Sequence, residues 1–130
     1  MDQAGLLDRV VEGQRRFRDP RLSPDGRRVA VVVDRTGGSD LWLLDLASGT
    51  LSQQTFGLSP RRPTWTPDGR GVTVATPHRG GWRFVTVAVP DDRVSEPLLE
   101  LAHRAFPNAW TPDGKLLVYQ ERLPASGWDL

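Results

Sequence analysis

The sequence predicts an all-β fold built from repeated antiparallel four-stranded units, on three observations. A turn tetrapeptide recurs, as Ser-Pro-Asp-Gly at 23–26 and as Thr-Pro-Asp-Gly at 66–69 and 111–114. Its copies are 43 and 45 residues apart, and the flanking residues recur with it. The runs between turns alternate with period two and are apolar on both faces, the pattern of a sheet covered on both sides. Four short strands per period of about 40–45 residues is the arithmetic of a propeller blade. The expected fold is therefore a partial β-propeller.

The turn has a mechanism. Pro24, Pro67 and Pro112 preset φ near −65° at the second position. Asp25, Asp68 and Asp113 bond their own backbone, and Gly26, Gly69 and Gly114 supply the left-handed residue. Ser or Thr at the first position can accept a backbone N–H. Such a turn joins two antiparallel strands.

Four strands follow in each period. In the first unit they are 18–22, 28–34, 40–45 and 50–55. In the second they are 63–66, 71–76, 83–89 and 96–101; in the third, 107–110 and 116–121, with another begun at 127–130. The blades are thus 18–59, 60–103 and an incomplete 104–130. Residues 1–17 read as a leader or as the outer strand of a preceding blade; Leu6, Leu7, Val10 and Val11 would also fit one face of a short helix. Helical repeats of similar period are disfavoured, because no 3.6 periodicity appears and the 13 glycines and 11 prolines would break such helices.

Composition excludes several function classes. Net charge is +1, from 17 basic and 16 acidic residues, so no global field draws in nucleic acid or an anionic membrane. The arginines at 15, 16, 18, 21, 27 and 28 are interleaved with Glu12, Asp19 and Asp25 and read as a solvated surface rather than a phosphate patch. There are no cysteines, hence no disulfide framework or thiolate metal site. No secretory signal pattern and no apolar run of about 20 residues is present, so no membrane insertion is expected and the chain as written reads as cytoplasmic. Cut from a longer secreted protein, it would be periplasmic or extracellular.

The residues that carry the repeat also carry a family resemblance. Leu22-Ser-Pro-Asp-Gly-Arg-Arg-Val-Ala-Val, Trp65-Thr-Pro-Asp-Gly-Arg and Trp110-Thr-Pro-Asp-Gly-Lys-Leu-Leu-Val resemble the WSPDG repeat of TolB-like propellers. Asp40-Leu-Trp-Leu-Leu-Asp-Leu-Ala-Ser-Gly-Thr-Leu, then Gln54-Thr-Phe, is similar to the outer half of such a blade. Leu22 stands where the family has Trp, and two turns have Thr for Ser. The resemblance implies a bacterial repeat protein, related to WD40-like repeats, that acts as scaffold, binder or gate. In TolB the propeller binds proteins of the cell envelope. Similar repeats occur in sensor regions of bacterial serine/threonine kinases and beside the hydrolase domain of prolyl oligopeptidase-type peptidases.

Catalytic chemistry finds no foothold in the sequence. No Gly-x-Ser-x-Gly string exists; Gly38-Ser39-Asp40 lacks the second glycine. His78 and His103 lie at unmatched repeat positions. Asp91-Asp92 reads as a solvated hairpin tip, and the three turn aspartates are explained by turn chemistry, so no metal or other cofactor is expected. Gly37-Gly38 and Gly80-Gly81 read as matched hairpin turns. Trp65 and Trp110 share a repeat position and are expected to pack between blades. Trp82, Trp128 and Arg79 are the binding candidates.

The expected function is a non-catalytic protein-binding or scaffold module. The ending at Leu130, inside an expected strand, predicts a piece of a six- to eight-bladed protein. Self-association through exposed blade faces is the second partner expectation. The alternative function is an accessory or gating propeller of a larger peptidase or receptor-like kinase.

Overall fold

The computed structural model describes residues 16–91, 93–123 and 127–129, the last three by backbone alone. Of the leader expected at 1–17, residues 1–15 lie outside the described residues, as do Asp92, Leu130 and the side chain of Trp128, while Arg16 and Phe17 belong to the first strand of the first sheet. Among the described residues every regular element is a strand.

Three antiparallel sheets follow one another along the chain. The first takes β1 (Arg16–Leu22), β2 (Arg28–Arg35), β3 (Gly38–Asp45) and β4 (Leu51–Gln53), in that order. The second takes β5 (Arg61–Trp65), β6 (Gly71–His78), β7 (Gly81–Ala88) and β8 (Leu99–Leu101), likewise in sequence order. The third takes β9 (Ala105–Trp110), β10 (Leu117–Leu123) and β11 (Gly127–Asp129). The sheets are separate and stack face to face.

The stacking follows from two-sided burial. Val29 to Val33 are all buried, so both faces of β2 are covered. Ala30, Leu41 and Leu43 of the first sheet pack on Trp65, Val72, Val74, Val85 and Val87 of the second. Ala75 and Phe84 of the second sheet pack on Ala105, with Phe106, Leu117 and Tyr119 around them. Phe84 meets Tyr119 edge-on at 5.4 Å between ring centroids. Each such Val, Leu or Phe contributes about 1.5–3 kcal/mol by leaving water, so these interfaces hold the sheets together.

The repeated turns form as their chemistry requires. In each, the glycine N–H donates to the first residue's carbonyl, at 2.9 Å (Gly26 to Ser23), 2.9 Å (Gly69 to Thr66) and 2.8 Å (Gly114 to Thr111). Ser23, Thr66 and Thr111 each donate their hydroxyl to the aspartate two residues on, at 2.6 Å. The same hydroxyls accept the N–H of Arg28, Gly71 and Leu116.

Some boundaries differ from the sequence reading, for local reasons. The fourth strands are short: after β4 the buried Gln54 and Thr55 both donate their N–H groups to the carbonyl of Leu41, and before β8 the exposed Leu98 donates its N–H to the carbonyl of Phe84. The β2–β3 and β6–β7 turns are Thr36-Gly37 and Arg79-Gly80; Gly38 and Gly81 belong to the strands. A Cβ on Gly81 would collide with the carbonyl oxygen of Leu101. The first and second strands of every sheet are offset by a bulge, between Arg18 and Arg21, between Arg61 and Thr64, and between Val118 and Tyr119. Asp19 and Arg62, each followed by proline, carry φ of 53° there. Proline is tolerated because the free edge of the first strand needs no N–H.

Candidate functional site

Antiparallel order places the turns of each sheet at two ends. The Pro-Asp-Gly turns share one end with the β3–β4 and β7–β8 connections. The β2–β3 and β6–β7 turns share the other with the linkers between sheets. This second end collects most of the side chains singled out as binding candidates.

The β6–β7 turn is a two-residue connection with positive φ at both positions, 47° at Arg79 and 80° at Gly80. That geometry matches the right-handed twist of the strands it joins. It holds Arg79 out in solvent. Beside it His78, Trp82, Glu100 and Ala102 border a groove of about 390 Å³. His78 Nε2 lies 3.9 Å from Glu100 Oε1.

Trp82 is half-buried. Its ring meets Phe106 of the third sheet edge-on, with centroids 5.8 Å apart. Arg104 lies over both rings, 5.6 Å from each centroid, and Arg62 lies 5.1 Å from Phe106. Such contacts orient exposed guanidinium groups at little entropic cost. Of Trp128 the structure places only the backbone, paired with Arg122.

One residue before Arg62 sits Arg61, anchored through Nη1 to Ser39 Oγ at 3.1 Å and to the carbonyls of Ser59 and Pro60. Burial lowers its pKa, the positive fields of Arg18 and Arg104 lower it further, and Asp34 and Asp19 oppose them. It remains charged at neutral pH. Arg18 is balanced by Asp34, with nitrogen and oxygen 2.9 Å apart. Arg61, Arg62 and Arg104 therefore give this end a positive surface that the sequence reading missed. The signal was faint: Arg61 repeats Arg18 one period later, among many arginines.

A second feature at this end is structural. Asp40 is 1% exposed. Its Oδ1 accepts the Thr55 hydroxyl at 2.7 Å and the N–H groups of Gly57 at 2.7 Å and Leu58 at 3.0 Å. Its Oδ2 accepts from Arg35 Nε at 3.2 Å. The carboxylate thus clips the linker between the first two sheets. Arg83 holds the same repeat position in the second sheet, and its buried Nε has no hydrogen-bond partner among the described residues. Ser39, whose hydroxyl faces Arg61, is buried too, so Gly38-Ser39-Asp40 serves packing and not an exposed nucleophile.

At the opposite end the arginine run of the sequence separates. Arg27 is solvated, while Arg28 enters the groove between the first two sheets, 5.2 Å from the Trp65 centroid. Trp65 and Trp110 pack between sheets, as their shared repeat position predicts; their indole N–H groups donate to the Arg21 carbonyl and to Thr73 Oγ1. Among the described residues no cluster of three or more His, Cys, Asp or Glu is placed to hold a metal ion. Nor is any described helix long and apolar enough to cross a membrane.

No protein-family model matches the chain. Solved structures do. TolB from Acinetobacter baumannii superposes over 91% of this chain and 30% of its own, with a TM-score of 0.75 and 23% identity. A putative TolB from Agrobacterium tumefaciens matches over 86% of this chain and 40% of its own, with a TM-score of 0.72 and 23% identity. The β-propeller domain of the Trilobed protease from Pyrococcus furiosus, described as having an open velcro topology, matches over 82% of this chain and 33% of its own, with a TM-score of 0.63 and 15% identity. In sequence, 68 residues are 38% identical to a protein of Bacillus subtilis named "Uncharacterized peptidase YuxL", covering 49% of this chain and 10% of the peptidase. The chain thus spans well under half the length of the proteins it resembles. Separate, stacked antiparallel sheets, two of four strands and one of three among the described residues, with these structural neighbours make its fold that of a TolB-like partial β-propeller.

Proposed function

We propose that this chain is a non-catalytic protein-binding module, and that it binds through the end carrying the sheet-to-sheet linkers. The observation that carries this reading is the Trp82–Phe106 pair with Arg104 laid over both rings and Arg62 over Phe106. The few residues that dominate binding at protein interfaces are enriched in Trp, Tyr and Arg, and this end presents Trp82 with Arg62 and Arg104 together. Loops on a rigid scaffold are the usual carriers of such contacts. The same reading includes self-association, because Leu116, just before β10, and Val118, within it, stand exposed.

The test places a photo-crosslinking residue at Arg79 in the full chain and exposes it to cell extract. A discrete protein adduct, competed by excess unlabelled chain and reduced at least tenfold by Arg62→Glu with Arg104→Glu, is expected. Adducts that are diffuse, uncompeted or insensitive to charge reversal contradict the reading. Turnover of an ester or peptide substrate by the purified chain would contradict its non-catalytic part.

A second reading is an accessory propeller of a larger peptidase. The 38% identity to the Bacillus peptidase and the likeness to the Trilobed protease propeller support it. A hydrolase domain encoded in frame beside this segment decides for it.

A further inference from the structure

The groove between the first two sheets is filled by a side chain of this protein. Arg28 stacks on Trp65, 5.2 Å from its centroid, and its Nη2 donates to the carbonyl of Gly69 at 2.7 Å. A Cβ on Gly69 would lie 3.8 Å from that Nη2.

Among the described residues, no side chain occupies the equivalent groove between the second and third sheets in this way. One period on from Arg28 stands Gly71. A Cβ there would sit 2.7 Å from Thr86 Cγ2, so Thr86 restricts the position to glycine. Beside that position lies an opening of about 440 Å³ lined by Thr66, Pro67, Asp68, Trp110, Asp113 and Gly114; Gly71 and Thr86 line the adjoining groove, which shares Thr66 and Asp68 with it. A Cβ on Gly114, the counterpart of Gly69, would meet nothing within 4 Å. Trp110 is held in place through its indole N–H, 2.9 Å from Thr73 Oγ1. Two carboxylates and, among the described residues, no basic group line the opening; Arg70, just outside it, acts electrostatically on Asp68.

We propose that this groove receives an arginine side chain of a protein partner. The guanidinium stacks on Trp110 and donates to the Gly114 carbonyl, as Arg28 does at Trp65 and Gly69. Asp68 and Asp113 supply the complementary charge. Arginine fits better than lysine because a planar, weakly hydrated fork can stack and donate at once. The proposal rests on the protein-binding reading and adds the chemistry of a second contact, at the opposite end of the sheets.

The test is a titration of the ¹⁵N-labelled full chain with acetyl-Gly-Arg-Gly-amide, its citrulline counterpart and free arginine. Saturable shifts at the Trp110 indole N–H and the Gly114 amide, without shifts at Trp65, are expected from the arginine peptide. Citrulline lacks the charge, and free arginine brings an α-carboxylate toward Asp68 and Asp113; both should bind at least tenfold more weakly. Gly71→Arg with Thr86→Ala refills the groove from within and should abolish the peptide's shifts. Equal shifts from the citrulline peptide, tighter binding of free arginine, or no saturable shift at Trp110 would overturn the proposal, whether or not that variant folds. A failure here with the Arg79 crosslink still formed removes the arginine site and leaves the binding-module reading standing.

Discussion

The indole N–H of Trp65 donates to the carbonyl oxygen of Arg21 at 2.8 Å, joining the inner strands of two sheets 44 residues apart in sequence. Trp65→Phe keeps most of the ring and removes the donor. The Arg21 carbonyl then loses its partner in a half-buried place, and Arg28 loses the larger ring beneath it. The expected cost is about 1–2 kcal/mol, read as a lower urea midpoint at unchanged slope. An unchanged midpoint would show that the two sheets do not meet there.

Asp40 predicts a larger effect. Asp40→Ala leaves the N–H groups of Gly57 and Leu58 and the Thr55 hydroxyl without their common acceptor. The expected loss is about 3 kcal/mol, in the range for breaking a buried charged network. Thr55→Val, which removes one bond of the clip, should cost about 1 kcal/mol. Denaturant melts of both variants check the order; an Asp40→Ala no worse than Thr55→Val contradicts the clip.

The turns predict a pH dependence. Hydroxyl donation from Ser23, Thr66 and Thr111, then backbone donation, holds Asp25, Asp68 and Asp113 below the usual carboxylate pKa of 3.8. A folded pKa below the unfolded one contributes stability that is complete above the unfolded value and is lost as pH falls through the folded one. The melting temperature should therefore fall as pH is lowered below about 4, and fall less in a triple Asp→Asn variant of these positions. Equal acid sensitivity in the two chains would remove the turns from the explanation.

Arg79 gives a prediction of the opposite sign. Its φ of 47° is strained for a residue with a long side chain, and asparagine tolerates it better. Arg79→Asn should stabilise the chain by about 0.5–1 kcal/mol, seen as a raised thermal midpoint. A loss of stability would mean that the guanidinium makes a contact worth more than the strain.

Much of this was legible in the chain itself. Pro, Asp and Gly act within four residues, so the turns at 23–26, 66–69 and 111–114 are local chemistry and could be read directly. The shared position of Trp65 and Trp110 announced packing between sheets. What stayed hidden depends on residues 15 or more apart in sequence. Arg28 looked like one more surface arginine, because nothing nearby tells that Trp65 and Gly69 wait for it in the next repeat. Asp40 looked like an ordinary strand residue, because its partners at 55–58 form a linker with no regular pattern. Arg61, Arg62 and Arg104 become one surface only when three sheets are stacked. Trp82, chosen for its place at a strand start, is half withdrawn by Phe106, a neighbour that period-two reading does not supply.

The stacking of separate sheets underlies both the binding end and the arginine groove. A nuclear Overhauser spectrum of the labelled chain tests it most directly. Cross-peaks from the Trp65 indole proton to Arg21 and Leu22, and from the Trp110 indole proton to Thr73, are the predicted result. Intact strand-to-strand peaks within each sheet, with both indole cross-peaks missing, would contradict it.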